Sequence, residues 1–435
     1  MDAIEADGGR TEPTRRETGR ALGSAMIGNW FELFDFIIYG YFAAQIGRAM
    51  FPEADPVTII LSSFATYGVG FVMRPVGGVV LGHFGDLYGR KSALVFTMLL
   101  MAGATGATGL IPPYTAIGIA APILLVICRL LQGFAAGGEW GGATTFLVEY
   151  APPHRRGLYG ALQQLSTSLA ILSALGTSLL LNALLTEQQM VDWGWRIPFL
   201  LGFLVAPVGF YLRRSVRETP RFRAVGDDRS VSPIREVLAH HRGAVANVFG
   251  VAIIWCVAGY IFGAFLISYA TELLDIERGT VLLAITAGTL VNIAVIPLAG
   301  HLSDRYGRKP FLVASAAGFL LLILPLFHAM ATYQAPWTIY ATAIVAGVLG
   351  GLYSGCAPTL LCELLPTRVR YSALSVGYNG AVMLFGGFAP FIATLLIQQT
   401  GVLASPAFYV MSAAALTLVF LLRIKAPDQA TALDR

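Results

Sequence analysis

Four charged side chains lie within apolar stretches of the sequence. Glu32 and Asp35 interrupt GNWFELFDFIIYG, Arg74 interrupts GFVMRPVGG, and Arg129 opens RLLQGFAAGGEWGG after a long apolar run. Ionisable residues in such surroundings are functional candidates by default, because each one needs a counter-charge or a polar cavity. Buried carboxylates can hold and release protons, and buried guanidinium groups can hold an anion.

The spacing of these residues predicts which of them meet. Glu32 and Asp35 are three positions apart, so they lie near one face of a helix and we expect them to share a cavity. Arg74 falls at a depth similar to that of Glu32, and we favour a neutralising structural pair for it. Arg129 cannot reach water easily, so it needs an anion. That anion is Asp35, the carboxylate of a ligand, or the two in alternation; a permanent structural salt bridge is the alternative.

Several polar residues in the apolar runs are further candidates for ligand contacts. Gln164 belongs to a polar patch at the start of the fifth run, which suits a wet central cavity; hydrogen bonding between helices is the competing explanation. Glu139 lies in the glycine-rich stretch GGEWGG, where another backbone can approach closely. The remaining candidates are Asn29, Tyr378 and Asn379.

The elements that position these residues are predicted to be membrane-spanning helices. The chain has 435 residues, of which 56% are hydrophobic and 12% charged, whereas about a quarter are charged in ordinary soluble domains. We count twelve apolar runs between Ala21 and Leu422, each about 20 to 30 residues long and able to cross about 30 Å of hydrocarbon as a helix. Their apolarity is continuous, which is typical of helices. We therefore predict an all-α polytopic membrane protein.

A repeated turn divides the chain into two halves. The segment GHFGDLYGRK at 82–91 returns as GHLSDRYGRK at 300–309, each time after the second apolar run of its half. A second match relates EYAPPHRR at 149–156 to ELLPTRVR at 363–370. The predicted fold is therefore twelve transmembrane helices in two pseudo-symmetric bundles of six.

The repeated turns are predicted to form a conformational gate. The acid in each turn can face the positive N-terminal end of a helix in the other half, Asp86 at the eleventh run and Asp304 at the fifth. Such contacts would hold one side of the molecule closed. The predicted gate comprises Gly82, Asp86, Gly89, Arg90, Gly300, Asp304, Gly307, Arg308, Glu149, Arg156, Glu363 and Arg370.

The distribution of charge predicts the orientation of the chain. The net charge is only +4, but basic residues cluster before the first run and after the even-numbered runs. Because basic residues favour the cytoplasmic side, we expect both termini in the cytoplasm and the chain in the cytoplasmic membrane. The four cysteines lie inside apolar runs, and we interpret them as packing residues. The predicted domains are a cytoplasmic tail at 1–19, a bundle at 20–212, a cytoplasmic linker at 213–243, a bundle at 244–424 and a cytoplasmic tail at 425–435.

These motifs resemble those of the major facilitator superfamily. The resemblance rests on the two G-x-x-x-D-x-x-G-R-K turns and on RLLQG. The stretches NWFELFDFIIYG, GFVMRPVGG and GGEWGG resemble its metabolite:proton symporter branch, which includes carriers for shikimate, 2-oxoglutarate, citrate and proline or betaine. The resemblance covers nearly the whole chain and implies alternating access of the two bundles around a central site, driven by proton symport.

The resemblance also implies roles for individual residues. In the proton-coupled sugar porters of the superfamily, an acid of the first span pairs with an arginine of the fourth, and these correspond to Asp35 and Arg129. Gln164 corresponds to a substrate contact there. Glu32 has no counterpart in that pattern, so Asp35, Glu32 and Glu139 all stay candidates for the proton carrier; we take Asp35 as the carrier and Arg129 as its gate.

The stretch 371–400 resembles the carboxylate carriers of the branch most. The expected substrate is therefore a small organic acid of the citrate or tricarballylate, 2-oxoglutarate or shikimate type. The alternatives are symport of a zwitterionic osmolyte such as proline or betaine, and antiport or facilitated transport.

Other classes of function find little support in the sequence. It shows no metal-ligand cluster, nucleophile motif or cofactor signature, so we predict neither an enzyme nor a metal or cofactor site. A receptor that kept the fold but lost transport is a further alternative. The expected partners are the organic acid, a proton and the lipid bilayer, with no nucleic acid, and we expect a monomer.

Overall fold

The structure is all-helical, as predicted. The computed structural model describes residues 15–51, 56–88, 90–203, 237, 239–365 and 370–424. No strand occurs within these ranges. Helices are expected in a membrane because they satisfy their own backbone hydrogen bonds, which lipid cannot do.

The first half follows the predicted order of runs, with two interruptions. The first run ends as a helix at Tyr41 and resumes after Phe42 as the short helix Ala43–Met50. The fourth run, predicted to be continuous, breaks at Gly137 and Gly138. The helices are α1 (Arg15–Tyr41), α2 (Pro56–Tyr88), α3 (Arg90–Leu110), α4 (Ala120–Ala136, continued as Glu139–Tyr150), α5 (Arg156–Leu184) and α6, described over 197–203.

The second half repeats this arrangement. Two of its helices contain π-helical turns, at Ile261–Phe265 and Tyr269–Leu273 in the first helix and at Val382–Gly386 in the fifth. The helices are α7 (Arg242–Leu273), α8 (Arg278–Tyr306), α9 (Lys309–Tyr333), α10 (Pro336–Glu363), α11 (Arg370–Ala381, continued as Ala389–Thr400) and α12 (Pro406–Arg423).

The helices suit a membrane by length and composition. Among the described residues, eight are long and apolar enough to cross a bilayer, and Val95–Leu110 and Ala120–Ala136 are shorter apolar helices. Large apolar side chains such as Leu110 (71% exposed) and Leu321 (70%) lie on the outside, where lipid would cover them. The four cysteines are free and buried, which confirms that they pack in the interior. The chain is a multi-pass membrane protein.

Glycines allow the closest helix crossing in each half. A Cβ atom at Gly133 of α4 would lie 1.6 Å from the carbonyl oxygen of Gly70 in α2. A Cβ atom at Gly347 of α10 would lie 2.2 Å from the carbonyl oxygen of Gly288 in α8. Gly70 and Gly288 stand equally far before the two turn glycines, so the crossings are related by the internal repeat. Backbone contact of this kind holds membrane helices together where hydrophobic burial cannot.

The two halves meet along matching helix pairs. α5 packs against α8 and α10, and α2 packs against α11. Since α8 repeats α2 and α11 repeats α5, these contacts are related by pseudo-twofold symmetry. We use "turn end" for the end at which α8 finishes (Tyr306) and α5 begins (Arg156), and "opposite end" for the end at which α1 finishes (Tyr41) and α8 begins (Arg278).

Candidate functional site

Arg129 and Asp35 form an ion pair inside the first half. Arg129 Nη1 lies 3.6 Å from Asp35 Oδ2, and both side chains are fully buried. Gln132 bridges the pair, because its Oε1 accepts a hydrogen bond from Arg129 (2.9 Å) and its Nε2 donates one to Asp35 Oδ1 (3.1 Å). The guanidinium also lies over the ring of Tyr39, 4.5 Å from its centroid. Asp35 is therefore the anion that Arg129 meets in this conformation.

Glu32 and Arg74 form a second buried ion pair. Arg74 Nη2 lies 2.5 Å from Glu32 Oε1, and each side chain is 3% exposed. Glu32 and Asp35, which we expected to share a cavity, are held in separate pairs, because their arginines come from different helices, α2 and α4. The ring of Phe36 lies close to both guanidinium groups, with centroid distances of 5.3 Å to Arg74 and 4.7 Å to Arg129.

Within each pair, the carboxylate and the guanidinium neutralise each other's charge. Moving an ion from water into a low-dielectric interior costs several kcal/mol, and only a close counter-charge with further hydrogen bonds offsets that cost. A proton bound by either carboxylate would leave its guanidinium in need of another anion. The arrangement can therefore exchange protons for anions, which is the chemistry predicted from the sequence for these residues.

A cavity of about 150 Å³ lies between the halves, mostly within the second. Its walls come from α5 of the first half and from α7, α8, α9 and α10. Among the described residues that line it, no side chain carries a charge. They include Gln164, Thr167, Ser168, Trp255, Phe262, Ile285, Thr289, Asn292, Phe319, Tyr353 and Ser354.

One wall of this cavity is polar and ties the halves together. Gln164, Thr167 and Ser168 fall on one face of α5. Ser168 Oγ donates a hydrogen bond to Asn292 Oδ1 of α8 at 2.8 Å. Asn29, a predicted ligand, instead donates to Thr167 Oγ1 (3.2 Å) from behind the wall. Of the predicted substrate contacts, Gln164 thus lies on the cavity wall, whereas Asn29 hydrogen-bonds to a residue of that wall.

Tyr378 and Asn379 lie between the halves rather than on the cavity wall. The ring of Tyr378 stacks on Trp140 with a centroid distance of 3.7 Å, and the ring of Trp255 is 5.7 Å from that of Tyr378. Asn379 Nδ2 donates to the carbonyl oxygen of Gly137 (2.9 Å), at the break in α4. The side chain of Glu139 lies outside the described residues.

The cavity contains residues that the sequence analysis did not select. Asn292 stands as far before Gly300 as Arg74 stands before Gly82, so the two positions correspond in the repeat. The same comparison relates Tyr353 to Glu139, counted from Glu363 and Glu149. The second half therefore has neutral residues where the first half has charged ones. Aligning the two halves before selecting candidates would have identified Asn292 as a polar residue within an apolar run.

The turn end is closed by a charged cluster around Arg308. Asp304 accepts hydrogen bonds from the backbone nitrogens of Gly157 (Oδ1, 2.8 Å) and Leu158 (Oδ2, 3.2 Å), at the start of α5 in the other half. Arg308 Nη2 lies 2.9 Å from Asp304 and 3.2 Å from Glu363. This is the contact expected for Asp304 at the N-terminus of the fifth helix.

Other predicted gate residues support this cluster. The backbones of Gly300 and Gly157 are in close contact, and Gly307 ends α8 with a φ of 87°, which favours glycine. Arg370 donates to the carbonyl oxygen of Cys362 (3.0 Å), and the carbonyl oxygen of Arg156 accepts from Thr359 (3.2 Å). The remaining predicted gate residues lie wholly or in part outside the described residues: Gly89, the surroundings of Gly82, and the side chains of Asp86, Arg90 and Glu149.

The hydrogen bonds of Asp304 to the start of α5 predict how easily the two halves separate at the turn end. Asp304→Ala should raise the rate at which N-ethylmaleimide alkylates a cysteine introduced by Gln164→Cys, by about tenfold or more, because charge-assisted hydrogen bonds contribute about 1.5–3 kcal/mol each. Asp304→Asn keeps a hydrogen-bond acceptor and should have a smaller effect. Mass spectrometry separates the new thiol from the four native ones. Equal alkylation rates with and without Asp304→Ala would contradict the gate role.

The opposite end is also closed by contacts between the halves. Arg48 Nη2 lies 3.0 Å from Glu272 Oε2, and Arg278 Nη2 donates to the carbonyl oxygen of Tyr41 at 2.5 Å. A Cβ atom at Gly40 would lie 2.6 Å from Ala264, so α1 and α7 touch there. Contacts between the halves are thus present at both ends of the molecule.

Comparison with known proteins decides the family. The family described as "Sugar (and other) transporter" matches residues 21–246, and the Major Facilitator Superfamily matches residues 248–434. The chain belongs to the major facilitator superfamily. Its relatives place it in the metabolite:proton symporter branch, which confirms the resemblance described above, and they are transporters rather than enzymes.

Three curated relatives illustrate the range of solutes within this branch. The chain is 33% identical to the proline/betaine transporter of Salmonella typhimurium, over 92% of this chain and 82% of the relative. It is 36% identical to the citrate-proton symporter of Klebsiella pneumoniae, over 89% and 87% of the two chains. It is 33% identical to the shikimate transporter of Escherichia coli, over 94% and 95%.

Solved structures support the fold of this superfamily protein. The xylose transporter XylE from E. coli, in a partially occluded inward-open conformation, matches with a TM-score of 0.74 and 16% identity. The match covers 94% of this chain and 97% of XylE. The predicted fold of twelve helices in two six-helix bundles is confirmed.

Proposed function

We propose that the protein is a proton-coupled symporter of a small solute with a single carboxylate, working by alternating access. The observation that carries this proposal is a cavity between the halves with no charge among its described lining residues, in a molecule that also contains two buried carboxylate–guanidinium pairs. An uncharged lining suits a solute of low net charge, and the ion pairs supply groups that can exchange a proton.

The size of the cavity favours a compact solute. A cavity of about 150 Å³ holds a molecule the size of benzene, so about six to eight non-hydrogen atoms are expected to fit. Proline and betaine are of this size, whereas citrate is much larger and carries three carboxylates that an uncharged lining would leave without counter-ions. We therefore place the zwitterionic osmolyte before the organic acid that the sequence favoured. The organic acid stays the second candidate because of the stretch 371–400 and the citrate-carrying relative.

The polarity of the walls favours one orientation of the solute. The polar end would face Gln164, Ser168 and Asn292, where hydroxyl and amide groups can hydrogen-bond to it. The apolar body would contact Phe262 and Phe319. The rings of Trp255 and Tyr353 are suited to an ammonium group, because aromatic faces attract cations.

The Asp35–Arg129 pair is the proposed element of proton coupling. When Asp35 is ionised the pair is neutral, and the empty carrier can change conformation without an unpaired charge in its interior. When Asp35 takes a proton, Arg129 loses its partner and the resting arrangement is weakened. The carrier would then change conformation with the solute and release the proton on the other side.

The proposed location is the cytoplasmic membrane, with both termini in the cytoplasm. This orientation rests on the clusters of basic residues beside the turn end. The turn end would then be the cytoplasmic gate and the opposite end the external gate. The monomeric state also stays a prediction.

A binding panel followed by a transport assay tests the proposed function. Purified protein is heated with proline, betaine, citrate, 2-oxoglutarate or shikimate; a ligand at about a hundred times its dissociation constant adds about 2.7 kcal/mol of stability, which raises the melting temperature by several degrees. We expect stabilisation by proline or betaine and none by citrate. Stabilisation by citrate alone would select the organic acid, and stabilisation by no member of the panel would contradict the proposal.

Proteoliposomes then distinguish symport from its alternatives. The pH of an unbuffered external medium is recorded while the stabilising solute is added. Symport takes protons up with the solute and makes the medium more alkaline. A facilitator would leave the pH unchanged, and an antiporter would acidify the medium.

A further inference from the structure

The two buried ion pairs have different surroundings. Arg129 is surrounded by residues of the first half, with Gln132 hydrogen-bonded to it and the rings of Phe36, Tyr39 and Tyr67 within 5.4 Å of its guanidinium carbon. A solute in the cavity of the second half cannot reach it without displacing those rings. The Asp35–Arg129 pair is therefore poorly placed to contact the solute itself.

The Glu32–Arg74 pair meets the second half. Arg74 lies over the ring of Phe71, which packs against Tyr260 of α7 with a centroid distance of 5.0 Å. Tyr260 and Cys256 of α7 and Tyr378 of α11 also lie near Arg74. This pair thus lies at the interface along which the halves must move.

Two links join this pair to the cavity. Tyr378 contacts Trp255, which belongs to the cavity wall. On α1, Asn29 lies one helical turn before Glu32 and donates a hydrogen bond to Thr167, another residue of the wall. A solute whose polar end faces α5 is therefore connected to the Glu32–Arg74 pair through Tyr378 and Asn29.

We propose that Glu32 and Arg74 form the site at which the solute's carboxylate is exchanged for a proton, which deepens the proposed function and rests on it. A proton from the aqueous side adds to the Glu32 carboxylate, whose ion pair with Arg74 breaks. The carboxylate of the solute then forms an ion pair with the same guanidinium. No covalent bond changes apart from the new O–H bond of Glu32, and the charge around Arg74 is conserved.

The groups facing Glu32 are compatible with this exchange. They are Arg74 from α2, Tyr260 from α7 and Tyr378 from α11. Arg74 is the cation among them, so a protonated Glu32 leaves Arg74 as the group that must find a new anion. A carboxylate solute supplies that anion, whereas an amide analogue of the same shape does not.

Binding of a carboxylate at this site should be linked to uptake of one proton. In wild-type protein the affinity for proline or betaine should fall about tenfold per pH unit once Glu32 is ionised in the empty carrier. Glu32→Gln mimics the protonated residue, so affinity should stay at the low-pH value of the wild type from pH 5.5 to 8.5. Intrinsic tryptophan fluorescence reports binding, since Trp140 and Trp255 lie nearby.

Asp192→Asn is the matched control, because it neutralises an exposed aspartate outside the buried ion pairs and should keep the wild-type pH dependence of binding. Asp35→Asn is compared with it, to separate the two buried pairs. Arg74→Gln should lose carboxylate binding at every pH. Should Glu32→Gln fail to fold, calorimetry of the wild type in buffers of different ionisation enthalpy counts the protons directly; about one should be taken up with proline and none with prolinamide.

The results separate this inference from the proposed function. Wild-type protein that binds none of the panel solutes would contradict both. Wild-type protein that binds proline or betaine without proton uptake, or a Glu32→Gln variant that keeps the wild-type pH dependence, would overturn the exchange site while the symporter stands. Loss of the pH dependence in Asp35→Asn alone would assign the exchange to Asp35.

Discussion

Asp35→Asn should abolish accumulation of the solute against a gradient while exchange of external for internal solute continues. The substitution removes the counter-charge of Arg129, which lies fully buried 3.6 Å from Asp35. An empty carrier would then have to change conformation with an unpaired cation in its interior, at a cost of about 3–5 kcal/mol. Exchange does not require the empty carrier to return, and Asn at position 35 resembles the protonated carboxyl proposed for the loaded carrier, which moves in both directions.

The expected loss of accumulation is large, because Asp35→Asn uncouples the solute from the proton that drives it. A membrane potential of 100 mV contributes about 2.3 kcal/mol per proton, which sustains about a 50-fold accumulation. Asp35→Asn should reduce the accumulation ratio to about one. Proteoliposomes with an imposed potential measure accumulation, and counterflow of labelled solute in the same vesicles measures exchange.

Two further variants make this result interpretable. Asp192→Asn is the matched control, an exposed aspartate outside the ion pairs, and should leave both activities at the wild-type level. Combining Asp35→Asn with Arg129→Gln removes both charges and should restore part of the thermal stability lost in the single variant. Undiminished accumulation by Asp35→Asn would show that Asp35 is structural and transfer the coupling role to Glu32 or Glu139.

The buried charges were the part of the site most accessible to prediction. Glu32, Asp35, Arg74 and Arg129 stand out because hydrocarbon surroundings make an isolated charge costly, so a charge there implies a partner. Depth along a helix was enough to relate Arg74 to Glu32, and the resemblance to sugar porters implied the pair of Asp35 with Arg129. Which carboxylate met which arginine in space depended on the rotation of α1, which spacing alone did not determine.

The cavity was not predicted because its residues resemble ordinary membrane packing. Trp255, Phe262 and Phe319 are as apolar as the lipid-facing residues of the same helices, so no local signal separates a cavity wall from a lipid contact. Asn292 could have been detected, because its position in the second repeat corresponds to that of Arg74 in the first. Comparing the two halves was informative here, because they fold alike but differ in charge.

The helix irregularities were missed for a different reason. Gly137 and Gly138 permit a break in α4, but glycines elsewhere in these helices lie within continuous helix, as Gly133 does. At the break, Asn379 of the other half donates a hydrogen bond to the carbonyl oxygen of Gly137. This contact exists only after the halves assemble. Tertiary contacts of this kind override local sequence preferences.

Gly133→Val should prevent the first half from folding. The crossing of α2 and α4 brings the carbonyl oxygen of Gly70 so close that even a Cβ atom at Gly133 would lie 1.6 Å from it. A backbone carbonyl cannot rotate away as a side chain can, so the helices must separate along their whole contact. Overpacking costs about 1–3 kcal/mol when the surroundings yield, and more is expected where two backbones meet.

The loss should extend to the ion pairs, because the same crossing positions them. Gly70 contacts the backbone of Arg129, and a Cβ atom at Gly137 would lie 2.0 Å from the carbonyl oxygen of Arg74. Separating α2 from α4 would therefore pull both arginines away from the carboxylates of α1. We expect little monodisperse Gly133→Val protein in size-exclusion chromatography and, for any that is recovered, a much lower melting temperature.

The internal repeat and the lipid-facing surface supply the controls for this prediction. Gly347→Val alters the corresponding crossing of α8 and α10, where a Cβ atom would lie 2.2 Å from the carbonyl oxygen of Gly288, and should be nearly as damaging. Gly103→Val adds the same bulk on the exposed face of α3, with no atom within 4 Å, and should express and melt like the wild type. If Gly133→Val and Gly103→Val gave equal yields and melting temperatures, α2 and α4 could not be packed as closely as the structure has them. Equal damage from Gly103→Val would instead show that any added bulk in these helices is harmful, because the two glycines differ chiefly in whether a neighbouring backbone touches them.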